Sequence, residues 1–183
     1  CFPDVAEQQL LKNAFEIEAA GGHYLLMIGS PGVGKTMLAS RLGSILPPIN
    51  PFQTHPIRAM FSSNEEHECI AALSGIRRVE LIDRNLTKRE LFGSMSNEHI
   101  KAWLMEEDDH RKSEYPTGQL SKEVGVFYRS SGGVLFLAEF SSYPLKVVDQ
   151  LLQQMDHYLL HVILAMNPCP CGNFNNPQKA CRF

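Results

Sequence analysis

Nowhere in the 183 residues does an apolar run reach the roughly 18 residues that cross a bilayer as a helix. A helical membrane protein is therefore excluded, and no membrane partner is expected. Basic charge is not in excess either: 17 Lys and Arg against 20 Asp and Glu leave a formal net charge of −3. That balance argues against a protein that coats nucleic acid over its whole surface and leaves room for a local basic patch only. The opening residues, Cys1-Phe2-Pro3-Asp4, have neither the basic nor the apolar region of a signal peptide. They also lack an initiator Met, so a fragment of a longer protein is expected. Cysteine is scarce and odd in number, five in all, with three gathered at Cys169, Cys171 and Cys181. An odd count with a local cluster does not fit a disulfide framework. A reduced, soluble, cytoplasmic protein is the expectation, long enough for one domain with a real core.

What is there is more specific. Gly29-Ser30-Pro31-Gly32-Val33-Gly34-Lys35-Thr36 reads G-x-x-x-x-G-K-T. An apolar run suited to a buried strand precedes it at 23–28, and helical apolar spacing follows it from Met37 to residue 46, ending at Pro47-Pro48. Strand, glycine loop and helix in that order are the context a phosphate-binding loop needs. Gly29, Gly32 and Gly34 let backbone N–H groups turn inward around an anion at the helix N-terminus. Ser30, Pro31, Val33 and Met37 complete the expected contact set. Lys35 supplies a point charge to the β- and γ-phosphates, and the Thr36 hydroxyl is suited to Mg²⁺. The expected ligand is ATP with Mg²⁺.

Elsewhere strands and helices alternate. Helices are expected at 5–20, 86–93, 97–105 and from Pro144 onward, with a short helical piece at 69–73. Further strands are expected at 78–83, 134–137 and 158–165. Such alternation predicts a three-layer α/β core around a mostly parallel sheet. The mixed charge run at 106–112 reads as a solvated loop or helix end, and Pro116-Thr117-Gly118 as a turn. Arg77, Arg78, Arg84, Lys88 and Arg89 form a local basic region, open to reading as ordinary surface or as a DNA contact.

Nucleotide hydrolases of this loop type place a metal-holding acid at the end of a second core strand. After the run 134–137 that position is Ala138, whose methyl cannot ligate a hard cation. Glu139 follows and is a candidate general base, with an uninvolved surface Glu as the other reading. Asn167, after the last strand run, could orient water or touch the γ-phosphate, or simply form an Asn-Pro turn. Neither Asp149, on the helix after Pro144, nor the distant Asp83 offers an ordinary replacement for the missing acid.

Three stretches together resemble the magnesium-chelatase-like branch of AAA+ ATPases, and within it the bacterial competence-related helicase group. They are Ala19-Ala20-Gly21-Gly22-His23 through Ala39 with Leu46-Pro47-Pro48, then Gly133-Val134-Leu135-Phe136-Leu137, then Ala165-Met166-Asn167-Pro168-Cys169-Pro170-Cys171-Gly172. Phe92-Gly93-Ser94-Met95 and Pro116-Thr117-Gly118-Gln119-Leu120 are more similar to the chelatase subunit's loop region. The resemblance implies a ring-forming ATPase, a homo-hexamer, that remodels a protein client or moves on DNA. It gives Lys35 and Thr36 the phosphate and Mg²⁺ roles, Glu139 the water-activating role and Asn167 a sensor role. On that reading residues 1–183 are one AAA+ nucleotide-binding core with a cysteine-containing insert at 168–183 and without the helical lid. Ala138 replaces the family's Asp, so the alternatives to an active ATPase are a non-hydrolysing regulatory ring subunit and a DNA-translocating helicase module. The hairpin that this branch carries before its sensor strand has no counterpart ahead of Tyr158. The paired-histidine segment is represented only by His55-Pro56-Ile57-Arg58 and the residues after it.

The cysteine cluster has two readings, three ligands of a Zn²⁺ site or three reduced thiols. Structural zinc sites usually take four ligands. Where the resembled family often has a further Cys, this chain has Phe183. His157 and His161 are the candidate fourth ligands.

Overall fold

Short apolar runs separated by glycine turns and amphipathic stretches have one economical solution, strands stacked side by side with helices above and below. The computed structural model, which describes residues 9–48, 77–82, 85–94, 124–156, 160–174 and 179–181, has that arrangement. In chain order the described elements are α1 (Gln9–Gly21), β1 (Leu25–Ile28), α2 (Lys35–Ile45), β2 (Val79–Ile82), α3 (Lys88–Phe92), α4 (Val126–Arg129), β3 (Val134–Leu137), a 3₁₀ turn (Phe140–Ser142), α5 (Leu145–Met155) and β4 (His161–Met166). The helices expected at 69–73 and 97–105, the charge run at 106–112, the turn at 116–118, the histidine segment at 55–62, Asp83, Arg84 and His157 lie outside the described residues.

The four strands form one all-parallel sheet in the order β1-β4-β3-β2. β4 therefore lies between the strand that leads into the glycine loop and the strand that ends at Ala138. Its central place explains its sequence. From His161 to Ala165 every residue is buried, and β3 is buried at all four positions, as a strand with helices on both faces must be.

Side-chain alternation divides the core in two. Val134, Phe136, Ile163, Ala165 and Met27 face α1 and α2, meeting Phe15, Ala19, Leu38, Ala39 and Leu42. Leu135, Leu137, Val162 and Leu164 face the other way, onto α3, α4 and α5 through Phe92, Phe127, Val147, Leu151 and Met155. The layers are thus helix, sheet, helix. Truncating Leu151, which is 1% exposed, to Ala would cost about 2–5 kcal/mol through lost burial and the cavity left.

Local chemistry sets the element ends. The Gly22 N–H returns to Glu18 O at 2.8 Å and closes α1. Thr87 and Glu90 make a reciprocal capping box that starts α3. Five positions, 156–160, separate α5 from β4. Among the described residues no helix is long and apolar enough to cross a membrane.

Two polar contacts tie distant parts together. Tyr24 Oη donates to Asp156 Oδ1 at 2.9 Å, joining the start of β1 to the end of α5. Burial, the hydrogen bond and the Asp156 charge push the Tyr24 phenol up to about 12. A phenol with a raised folded-state pKa contributes stability that is complete below its unfolded pKa of 10.0 and is lost as pH rises toward 12. The denaturation midpoint of the parent should thus fall more steeply above pH 10 than that of Tyr24→Phe, and urea titrations at several pH values check this.

Glu18 and His161 form the second contact, Oε1 to Nδ1 at 2.7 Å, with side chains 2% and 10% exposed. Glu18 Oε2 has no hydrogen-bond partner among the described residues. His161→Ala would leave that carboxylate buried and unpaired, for an expected loss of about 3–5 kcal/mol in urea denaturation. Replacing both residues by Leu should recover most of the loss.

Candidate functional site

In a parallel sheet the strands' carboxyl ends share one edge, and ligands bind in the crevice outside it where neighbouring strands diverge in the chain. Here that edge collects the loop 29–36 after β1, Ala138 and Glu139 after β3, and Asn167 after β4. Ile28 pairs with Met166 across β1 and β4, and the Gly29 N–H donates to Met166 O at 3.3 Å. Asn167, half-buried, follows beside the first glycine of the loop.

The loop is built for close backbone approach. Gly32 and Gly34 hold φ of 81° and 91°, the left-handed region that an L side chain enters at a cost. Gly34 then caps α2, which begins at Lys35, two residues before the helix expected from Met37. The Lys35 ammonium lies inside the loop, 2.6 Å from Gly29 O and 3.0 Å from Ser30 O. Partial burial moves the amine below the ordinary lysine range, as removing water from a cation must. A cation enclosed by carbonyls at the head of a helix is an arrangement that an anion's oxygens complete.

Val134, Phe136 and Ala138 share a face by strand alternation, and the Ala138 methyl packs with the cluster under α1 and α2. That is the face on which α2 carries Lys35 and Thr36. A carboxylate at 138 would point toward them; the methyl offers no donor. Thr36, at the head of α2, carries a hydroxyl of the kind that suits Mg²⁺. The donor set fits a Mg²⁺ that is carried mainly by phosphate oxygens and water, the usual way proteins hold this ion beside nucleotides.

Glu139 is exposed and has φ 51° and ψ 37°. Among the described residues it is the one non-glycine with positive φ. Such a conformation costs on the order of 1–3 kcal/mol and clusters at functional positions. Asp149 is exposed on α5, across the sheet from α2, so it is no substitute for the acid missing at 138.

A cleft of about 520 Å³ adjoins the loop, lined by Leu10, Leu11 and Ala14 of α1, by β1, and by Val33 and Lys35. Its size suits a small ligand and its wall is apolar apart from the lysine. The sequence reading missed this cleft. Its signal is Leu10, 86% exposed although it stands on the apolar side of an amphipathic helix.

The cysteines come together as well. Cys169, Cys171 and Cys181 offer sulfurs that all lie within 4.8 Å of one another. His161 is not with them: its Nδ1 is held by Glu18 at the opposite end of β4, which removes it as the fourth ligand of that cluster. Arg77 is buried, its Nε donating to Pro47 O at 2.8 Å, so it is a strut between the end of α2 and the start of β2 and no surface cation. Arg78 pairs with Glu80 at 2.7 Å.

A family model described as "Magnesium chelatase, subunit ChlI" matches residues 1–101. The chain is similar to "Uncharacterized protein YifB" of Salmonella typhimurium, 29% identical over 193 residues that cover 97% of this chain and 33% of that protein. It is also similar to "Competence protein ComM" of Haemophilus influenzae, 28% identical over 204 residues, or 98% of this chain and 35% of that one. The chain spans about a third of the length of the curated relatives it matches.

Proposed function

This chain belongs to the magnesium chelatase subunit ChlI family, and we propose that it is the ATP-binding core of an AAA+ ATPase that couples the nucleotide to remodelling of a partner within a ring of like subunits. The family supports nucleotide binding with Mg²⁺. The ring, the remodelled client and a cytoplasmic location are our reading. The observation that carries it is the loop 29–36, with Lys35 held between the Gly29 and Ser30 carbonyls at the head of α2.

In this reading the loop amides and Lys35 hold the β- and γ-phosphates, and the base lies in the apolar cleft against Leu10, Leu11 and Val33. Thr36 would be the protein ligand of the nucleotide's Mg²⁺, and that ion would neutralise phosphate charge. Glu139 accepts the proton of the attacking water, and Asn167, beside Gly29, orients that water or the γ-phosphate. Because the loop recognises phosphates, ATP and ADP should displace a fluorescent nucleotide from the chain at least about tenfold more strongly than AMP, one charged contact being worth about 1.5–3 kcal/mol. Equal displacement by all three would sink the assignment of the loop.

Ala138 favours a second reading, a subunit that binds nucleotide and turns it over slowly or not at all. Its methyl packs with the apolar cluster, so this position offers no metal ligand. Burial of Arg77 and the Arg78–Glu80 pair weaken the DNA-translocating alternative.

A further inference from the structure

The segment after β4 carries a feature that the nucleotide site leaves unused. Cys169 and Cys171 place their sulfurs 3.3 Å apart, and Cys181 stands 3.7 Å from each. All are well beyond the about 2.05 Å of a disulfide. Four thiolates around a zinc ion, at Zn–S of about 2.3 Å, define a tetrahedron with edges of about 3.8 Å. Two of the three observed edges match that value closely and the third is short of it by about half an ångström.

The backbone is wrapped around the first sulfur. The Phe174 N–H donates to Cys169 Sγ at 3.2 Å, and the Gly172 N–H donates to Cys169 O at 2.9 Å. An amide aimed at a sulfur fixes its orientation, as outer partners of metal ligands do. Gly172 takes φ of 71°, and a Cβ there would stand 2.6 Å from Pro31 Cδ. The turn closed by Cys169 therefore lies directly on the phosphate loop.

We propose that Cys169, Cys171 and Cys181 are thiolate ligands of one Zn²⁺, and that this site clamps the turn at Gly172 onto Pro31 and so braces the phosphate loop. Three thiolates this close would repel one another, and a soft divalent cation between them would offset that repulsion. Zinc suits the set because it accepts thiolates in tetrahedral geometry without a redox change. Among the described residues no other Cys, His, Asp or Glu joins the cluster, and water can take the fourth position. Loading releases the thiol protons, so affinity should rise with pH. The metal site does not depend on the nucleotide reading, and the brace is measured here without nucleotide.

The test is the metal content of the intact chain, purified without added metal and dialysed against a mild chelator. We expect about one zinc per chain, and almost none in the Cys169→Ser, Cys171→Ser double variant. Should that variant fail to fold, Co²⁺ titrated into the metal-stripped parent serves instead. Thiolate-to-cobalt charge transfer with tetrahedral bands is expected, at one equivalent. Zinc far below one per chain with all three thiols reactive toward a disulfide reagent would overturn the site. So would a different metal in its place, or cobalt spectra without sulfur ligation. For the brace, amide exchange in residues 29–36 should speed up several-fold on zinc removal, and unchanged exchange would refute it.

Discussion

Replacing Lys35 with Ala should weaken ATP binding by roughly 100-fold while leaving the chain folded. The magnitude follows from the contacts at stake. A charge-assisted hydrogen bond is worth about 1.5–3 kcal/mol, and each 1.4 kcal/mol is a factor of ten in affinity. The side chain's bonds to Gly29 O and Ser30 O tie only the loop to itself, so its loss costs the core little. Binding of a fluorescent ATP analogue checks the first half and far-ultraviolet circular dichroism the second. Undiminished affinity in a folded Lys35→Ala protein would mean that the loop does not hold the phosphates.

Ala138→Asp is expected to act in the opposite direction, on turnover. A carboxylate at this position projects to the face where α2 presents Lys35 and Thr36, and it gives the nucleotide's metal a second protein oxygen. Metal stabilisation of developing phosphate charge is worth several kcal/mol, and each 1.36 kcal/mol is tenfold in rate. A gain on the order of 100-fold in steady-state hydrolysis by the full-length protein is therefore expected, with ATP affinity altered far less. The added carboxylate sits beside the apolar cluster that Ala138 now joins, so some stability should be lost, about 1–3 kcal/mol. A variant that binds ATP and hydrolyses it no faster than the parent would show that Ala138 is not where catalysis is missing. Rapid hydrolysis by the unaltered chain would remove the regulatory reading.

Much of this architecture was legible in the chain because its signals are local. The run from Val134 to Leu137 forms β3 over the expected residues, since four consecutive apolar positions between Gly133 and Ala138 suit a strand buried on both faces. The glycine loop carries its own context, and the helix after Pro144 has a clear apolar stripe. Boundaries were less legible. β1 begins at Leu25, and Tyr24 turns to Asp156 instead of joining the sheet. β4 begins at His161, three residues later than expected, and runs on to Met166. The four-residue α4 was not foreseen because so short a helix is set by packing, here by Phe127 and Tyr128 in the core, and hardly by propensity.

Non-local contacts were beyond the sequence. Arg77 looks like surface charge by type, yet it is buried because the Pro47 carbonyl, thirty positions earlier, accepts from it. His161 is a zinc-ligand candidate by residue type alone, and Glu18 claims it. The seat of Gly172 on Pro31 joins two motifs far apart in the chain. The site residues themselves, Lys35, Thr36, Ala138, Glu139 and Asn167, were named from motif positions, and the parallel sheet explains why such distant segments share one edge.

On our proposal this core binds ATP through the loop 29–36 with little help from a protein-held metal. Calorimetric titration of the intact chain with ATP, once with Mg²⁺ and once with a chelator, tests it most directly. Saturation at about one ATP per chain is expected in both titrations, with affinities within roughly tenfold of each other. A folded chain that takes up no ATP in either titration would contradict it.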